Sequence, residues 1–155
     1  THLCSETRVP QAQELLRIHT EAPHEGLPVC GAIEVNPLRD GGEYWAEGLM
    51  SGEVSPNAVM LGDFNCTPDT PEYELITGPL SPYGGRVTHP LGFVDAWVYA
   101  GGDPDGGFTS DVKNEPARLD YAFVSAGLRE RISRCWVDDV ASGSDHQPVW
   151  LELAD

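Results

Sequence analysis

No stretch of this chain approaches the roughly 20 consecutive apolar residues that a membrane-spanning helix needs, so none is expected. No basic-then-apolar leader opens it either, which removes a visible secretory signal and makes the cytoplasm the expected compartment. The four cysteines, Cys4, Cys30, Cys66 and Cys135, form no C-x-x-C pair. A cysteine zinc site is therefore not expected, and the four read as free, partly buried thiols. Lysine is almost missing: Lys113 is the only one among nine basic residues. With no basic strip and a net charge of −16, the surface repels phosphate backbones and disfavours nucleic-acid binding. An acidic site can still bind a phosphoester through a divalent cation. Most of the carboxylates read as a solubility surface. No internal repeat or low-complexity segment is evident.

What is present suits one domain, or part of one, in 155 residues. Apolar residues make up 40% of the chain, enough for a core, while 17 Gly and 13 Pro point to a loop-rich protein built on short strands. Residues 1–5 read as the end of a strand. Pro10 to His19 reads as a helix, with Pro10 in its first turn and Ala12, Leu15, Leu16 and His19 on one face. Residues 20–57 are rich in Pro, Gly and Glu and read as a loop-rich insertion; Tyr44, Trp45 and Met50 either pin it down or make it a lid. Ala58 to Leu61 is a buried strand ending at Gly62, and Pro71 to Thr77 a short helix. Phe93 to Tyr99 is a short element of open type. Leu119 to Ser125, Ile132 to Val137 and Val149 to Leu153 are strands.

Several residues at the ends of these elements carry chemistry. Asp63 and Asn65 lie two apart, so in extended chain they share a side while Phe64 faces the other. The same pattern also reads as an Asx turn, and both readings stay open. Asp120 shares a strand face with Ala122 and Val124, and a charge there needs a partner. His146 is one choice, since a carboxylate on one ring nitrogen fixes the tautomer and favours the protonated form. Arg118 is the other, as a structural salt bridge. Asp145-His146 follows a Gly/Ser loop and precedes the last strand, where Pro148 does least harm. His2 stands near Thr1 at the start and has a phosphate-facing role only in this company. His19, His24 and His89 lack such company and read as surface or packing residues.

Thr1-His2, Gly62-Asp63-Phe64-Asn65, Arg118-Leu119-Asp120-Tyr121 and Ser144-Asp145-His146 together resemble, in this order, the motifs of the endonuclease/exonuclease/phosphatase superfamily. Phe93-Val94-Asp95-Ala96-Trp97 and Gly107-Phe108-Thr109-Ser110 are similar to further stretches of its bacterial members. The resemblance implies an α+β fold, a two-layer β-sandwich flanked by helices in the DNase I-like four-layer α/β/β/α arrangement. It implies that His2 contacts the scissile phosphate and that Asp63 orients the attacking water or serves the leaving group. Asn65 would hold the phosphate or that water, and Asp120 would orient His146. His146 would be general base or phosphate ligand. Asp145 would bind the divalent metal, Mg²⁺ or Mn²⁺, which suit oxygen ligands. The segment 20–57 departs from the pattern. An early Asn and a metal-binding Glu have no counterpart here, as if residues 1–155 were the C-terminal half of one domain.

The resulting expectation is a divalent-metal-dependent phosphoesterase acting on a phosphodiester or phosphomonoester. A nuclease acting on DNA or RNA and a catalytically incompetent half-domain are the alternatives. A half-sandwich exposes an apolar face that drives association; Tyr121, Phe123, Val124 and Val149 are candidates for that side or for the helix-facing one. Made alone, these 155 residues are expected to associate, to bind Mg²⁺ weakly and to show negligible hydrolysis. Light scattering and a phosphodiester assay with Mg²⁺ check this; a monomer that turns over substrate contradicts it.

Overall fold

The computed structural model describes residues 1, 4–25, 54–111 and 114–155. His2, Cys30, Tyr44, Trp45, Met50 and most of the segment 20–57 lie outside the described residues. In chain order the elements are α1 (Ser5–Glu25), β1 (Val59–Asp63), α2 (Pro71–Thr77), β2 (Phe93–Asp95), α3 (Ala96–Tyr99) and β3 (Asp120–Ser125). A 3-10 segment (Ala126–Arg131), β4 (Ile132–Val137) and β5 (Val149–Leu153) complete them. Two antiparallel sheets result, one ordered β1-β3-β2 and one pairing β4 with β5.

β3 is the central strand, and its sequence explains why. A strand buried on both faces reads as a continuous apolar run, as Tyr121-Ala122-Phe123-Val124 does, and all four are buried. Tyr121 and Phe123 point to one side and stack with ring centroids 4.9 Å apart. There they join Ala12 of α1, Tyr73 and Ile76 of α2, and Phe64 and Phe93. Ala122 and Val124 point to the other side and pack with Cys135 of β4 and with Val149 and Leu151 of β5. Helices thus cover one face of the three-stranded sheet and the second sheet covers the other. The structure separates the four apolar residues offered for an uncovered side or the helix-facing one: Tyr121 and Phe123 face the helices, while Val124 faces the second sheet and Val149 packs against it from that sheet. The apolar residues left exposed are others, among them Leu61 of β1 and Trp150 of β5.

α1 departs from its expected bounds. It begins at Ser5, where the end of a strand was expected, and runs to Glu25, taking in residues 20–25 of the expected insertion. Pro10 therefore lies inside the helix and not in its first turn. The reason is tertiary. The Ser5 hydroxyl donates to Glu72 Oε1 at 2.6 Å, and Arg8 Nε donates to the same oxygen at 3.0 Å. That carboxylate is buried in α2, so the added N-terminal residues of α1 satisfy a charge that would otherwise be stranded. The expected face holds: Ala12, Leu15 and Leu16 pack on the core, and the His19 ring lies 4.6 Å from that of Phe93.

Phe93 to Tyr99 resolves into two elements meeting at Asp95. β2 ends there, and Asp95 Oδ1 accepts from Trp97 N at 3.0 Å, capping α3. Asp95 Oδ2 accepts from Tyr73 Oη at 2.8 Å and from Arg118 Nη1. Arg118 also donates to Pro104 O at 2.9 Å. Arg118 is thus held by Asp95, so the alternative pairing of Arg118 with Asp120 does not form. Cys66 and Cys135 are free buried thiols, each pushed up to about 11 by burial, and Cys4 is exposed. No helix among the described residues is long and apolar enough to cross a membrane.

Both side chains of the Arg118–Asp95 pair are 3% exposed, so removing one partner strands the other in the core. Asp95→Ala is predicted to destabilise the fold by about 3–5 kcal/mol. Urea unfolding checks this; a loss below about 1 kcal/mol would mean that the pair is not what holds this corner together.

Candidate active site

Asp63 is the last residue of β1 and Asp120 the first of β3, and the register sets them opposite each other. β1 was expected to be a buried strand stopping at Gly62, but as an edge strand it leaves Val59 and Leu61 exposed. It continues one residue further because Gly62 adopts φ 137°, which other residues rarely do, and this carries Asp63 to the sheet's end. The next turn is the Asx turn of the two readings. Asn65 lies in the left-handed region at φ 51°, and its N–H donates to Asp63 Oδ1 at 2.7 Å, which is an Asx turn. Asn65 Nδ2 donates to Asp63 Oδ2 at 2.8 Å and to Thr1 O at 2.8 Å. The amide therefore clamps the carboxylate, and Phe64 between them is buried in the core. Thr1 sits against this turn: its backbone nitrogen donates to Asp63 O and its hydroxyl to Phe64 O.

His146 comes to the same place from the loop before β5. Its backbone N–H donates to Ser144 Oγ at 3.1 Å, and its Nδ1 lies 2.6 Å from Asp120 Oδ2. This contact assigns the proton to Nδ1 and leaves Nε2 for chemistry. The two side chains are 28% and 17% exposed, so the pair is half-buried yet reachable. The hydrogen bond that His146 donates to Asp120 raises its pKa above the ordinary 6.5; burial opposes this, and the charges of Asp120, Asp63 and Asp145 add to it. A cavity of about 430 Å³ opens beside the pair, walled by Leu61, Gly62, Tyr121, Ser144 and Val149.

Ligand atoms of Asp63, Asp120 and His146 lie within 4.8 Å of one another. Two carboxylates beside an imidazole are an oxygen-rich set that fits a hard divalent cation. Asp145, the residue expected at the metal, is exposed and not among these three. Its charge reaches His146. His2 lies outside the described residues. Of the six expected site residues the structure thus gathers Asp63, Asn65, Asp120 and His146, with Asp145 next along the chain from His146. Sequence reasoning gave no role to Thr1 or to Ser144. For Ser144 a signal existed, a hydroxyl two residues before a histidine in a Gly/Ser loop, which is the usual spacing of a hydroxyl-capped turn.

A histidine whose pKa folding raises binds its proton more tightly in the folded than in the unfolded chain. The resulting stabilisation is full below the ordinary value of 6.5 and is lost as pH rises through the folded value. Asp120→Asn should therefore lower stability most below pH 6.5, with the gap to wild type closing at higher pH. Urea unfolding across pH checks this; a gap that widens with pH contradicts it.

Comparison with known proteins adds a family. The family model described as Endonuclease/Exonuclease/phosphatase family matches residues 15–146, well over half of the chain. No significant match was found among curated proteins or solved structures. The match spans Asp63, Asn65, Asp120, Asp145 and His146, the residues whose geometry was just described. The chain belongs to the endonuclease/exonuclease/phosphatase family, whose members are phosphoester hydrolases.

Proposed function

We propose that this protein is a divalent-metal-dependent phosphoesterase that cleaves a phosphodiester or phosphomonoester with an activated water. One observation carries the reading. An imidazole fixed by a carboxylate at 2.6 Å shares a space of under 5 Å with a second, clamped carboxylate, at the mouth of a cavity. That is the layout for moving a proton beside a phosphorus centre.

His146 has two roles open to it, general base or phosphate ligand. A pKa held above 6.5 favours the imidazolium, and an imidazolium donates Nε2–H to a phosphate oxygen. Asp63 then carries the other half of the reaction. Both its oxygens accept from Asn65, so it is fixed in place to orient the attacking water and receive its proton. Both N–H groups of the Asn65 amide are engaged, which leaves Oδ1 to meet the water; this supports the water-holding role over the phosphate-holding one. The water oxygen bonds to phosphorus as the ester P–O bond breaks, and the leaving oxygen takes a proton. A bound Mg²⁺ or Mn²⁺, held by the carboxylates with Asp145 alongside, would offset the negative charge that gathers on the phosphoryl oxygens. Positioning groups of this kind lower the barrier mainly by holding the reacting atoms in place.

The helix–sheet–sheet order supports the DNase I-like four-layer arrangement as the architecture of the complete domain. The net charge of −16 argues for a small or lipid-borne phosphoester and against a nucleic-acid backbone as substrate.

In the full-length protein, His146→Ala and Asp63→Ala should each lower turnover by about 10²–10⁴-fold. EDTA should abolish activity and Mg²⁺ or Mn²⁺ restore it. A panel of phosphoesters assayed with and without chelator checks both. Wild-type rates in His146→Ala would take that residue out of the mechanism, and full activity in EDTA would take out the metal.

A further inference from the structure

Gly107-Phe108-Thr109-Ser110 carries no ionisable side chain, yet it touches the backbone on both sides of the Asp120–His146 pair. Gly107 lets the segment pass close to Trp97: it adopts φ 71°, and a Cβ there would lie 2.7 Å from Trp97 Cε2. Thr109, which follows two residues later, is 0% exposed. Its hydroxyl oxygen accepts from Leu119 N at 3.0 Å and from Asp120 N at 3.0 Å. Its carbonyl accepts from Gln147 N at 2.7 Å, the residue after His146. Its own N–H donates to Ala117 O at 2.9 Å, and Ser110 forms bridges to both Ala117 and His146.

This arrangement fills a gap in the sheet. β2 pairs with β3 only from Phe93 to Asp95, ending opposite Phe123. It offers no acceptor to the N–H of Asp120 three residues earlier. A buried N–H without a partner is costly. A hydroxyl has two acceptor lone pairs, and here one oxygen serves two successive N–H groups. The β-branched side chain has few χ1 states, so that oxygen is held still.

We infer that Thr109 is a positioning residue for the Asp120–His146 pair: its hydroxyl fixes the strand that carries Asp120, while its carbonyl fixes the loop that carries His146. The effect on turnover rests on the phosphoesterase reading; the effect on the pair's geometry does not. Thr109→Val keeps the shape and removes the acceptor. Thr109→Ser keeps the acceptor and loses only the methyl group.

The test compares both variants with the wild-type full-length protein by NMR and by kinetics. In wild type, the amides of Leu119 and Asp120 should exchange with solvent as slowly as those inside β3, and His146 should show a downfield Nδ1–H resonance. In Thr109→Val the two amides should exchange fast and the Nδ1–H resonance should broaden or vanish. Turnover of a phosphodiester with Mg²⁺ should fall about 10–100-fold with KM little changed, as for other groups that orient site residues. Thr109→Ser should restore all of these. Retention of the Nδ1–H resonance and of kcat in Thr109→Val would overturn the inference. So would a folding failure of that variant, since the hydroxyl would then be holding the domain and not the pair. So, too, would fast exchange of the two amides in wild type. A wild-type protein without hydrolysis would sink the phosphoesterase reading alone, and the exchange and Nδ1–H readouts would still decide the role of Thr109.

Discussion

The buried ion pair between Arg118 and Asp95 is the interaction on which the rest of the site depends. Arg118 lies two residues before β3, and Asp95 ends β2, so the pair ties the start of the central strand to the end of its neighbour. Burying two charges is expensive and is offset only where surrounding groups supply further hydrogen bonds; of the pair's side-chain polar atoms, Arg118 Nε is left without one. Here Asp95 also takes the Tyr73 hydroxyl and caps α3, while Arg118 also reaches Pro104 O and lies over the Tyr121 ring at 5.1 Å. Tyr121 Oη lies 2.7 Å from Arg118 O and 2.8 Å from Cys66 O, which closes the knot. Tyr121 is turned into the core, and by the alternation of a strand Asp120 before it faces the other way, toward His146.

That geometry accounts for two features that look contradictory. The chain is strongly acidic, yet the site gathers still more negative charge around one imidazole. The hydrogen bond to Asp120 and the charges of Asp120, Asp63 and Asp145 raise the pKa of that imidazole, since each carboxylate near it lowers the free energy of the charged ring. Asp63 is managed differently. It receives two N–H bonds from Asn65 in a tight turn, which local backbone geometry supplies without a cation. One site therefore contains a carboxylate paired with an imidazole and a carboxylate satisfied by the N–H groups of Asn65. Carboxylates in such different surroundings are suited to different tasks.

Much of this was legible in the sequence, and the reasons differ by element. α2, β4 and β5 have the expected bounds because their signals are local: Pro71 at the first turn, and short stretches rich in β-branched and aromatic residues. The extra turns of α1 were not legible, since they depend on Glu72, far along the chain. Whether Asp120 pairs with Arg118 or with His146 was open for the same reason; only the fold shows that Asp95 claims the arginine. The Asx turn and the shared-site reading of Asp63 and Asn65 were set as rivals, whereas the turn is what builds the site. Thr109 stood in a recognised stretch, but its task is to accept hydrogen bonds from backbone groups about ten residues away, which no spacing rule encodes.

The central claim is that the carboxylates of Asp63 and Asp120, beside His146, hold a divalent cation at one catalytic site. Its most direct test is a Mn²⁺ titration of the isotopically labelled full-length protein followed by NMR. Paramagnetic broadening falls off steeply with distance and therefore maps where the ion sits. The account predicts that resonances of Asp63, Asp120, Asp145 and His146 broaden at the lowest Mn²⁺, before those of acidic residues elsewhere on the surface. Broadening that begins on other acidic surfaces and leaves these four sharp would contradict it.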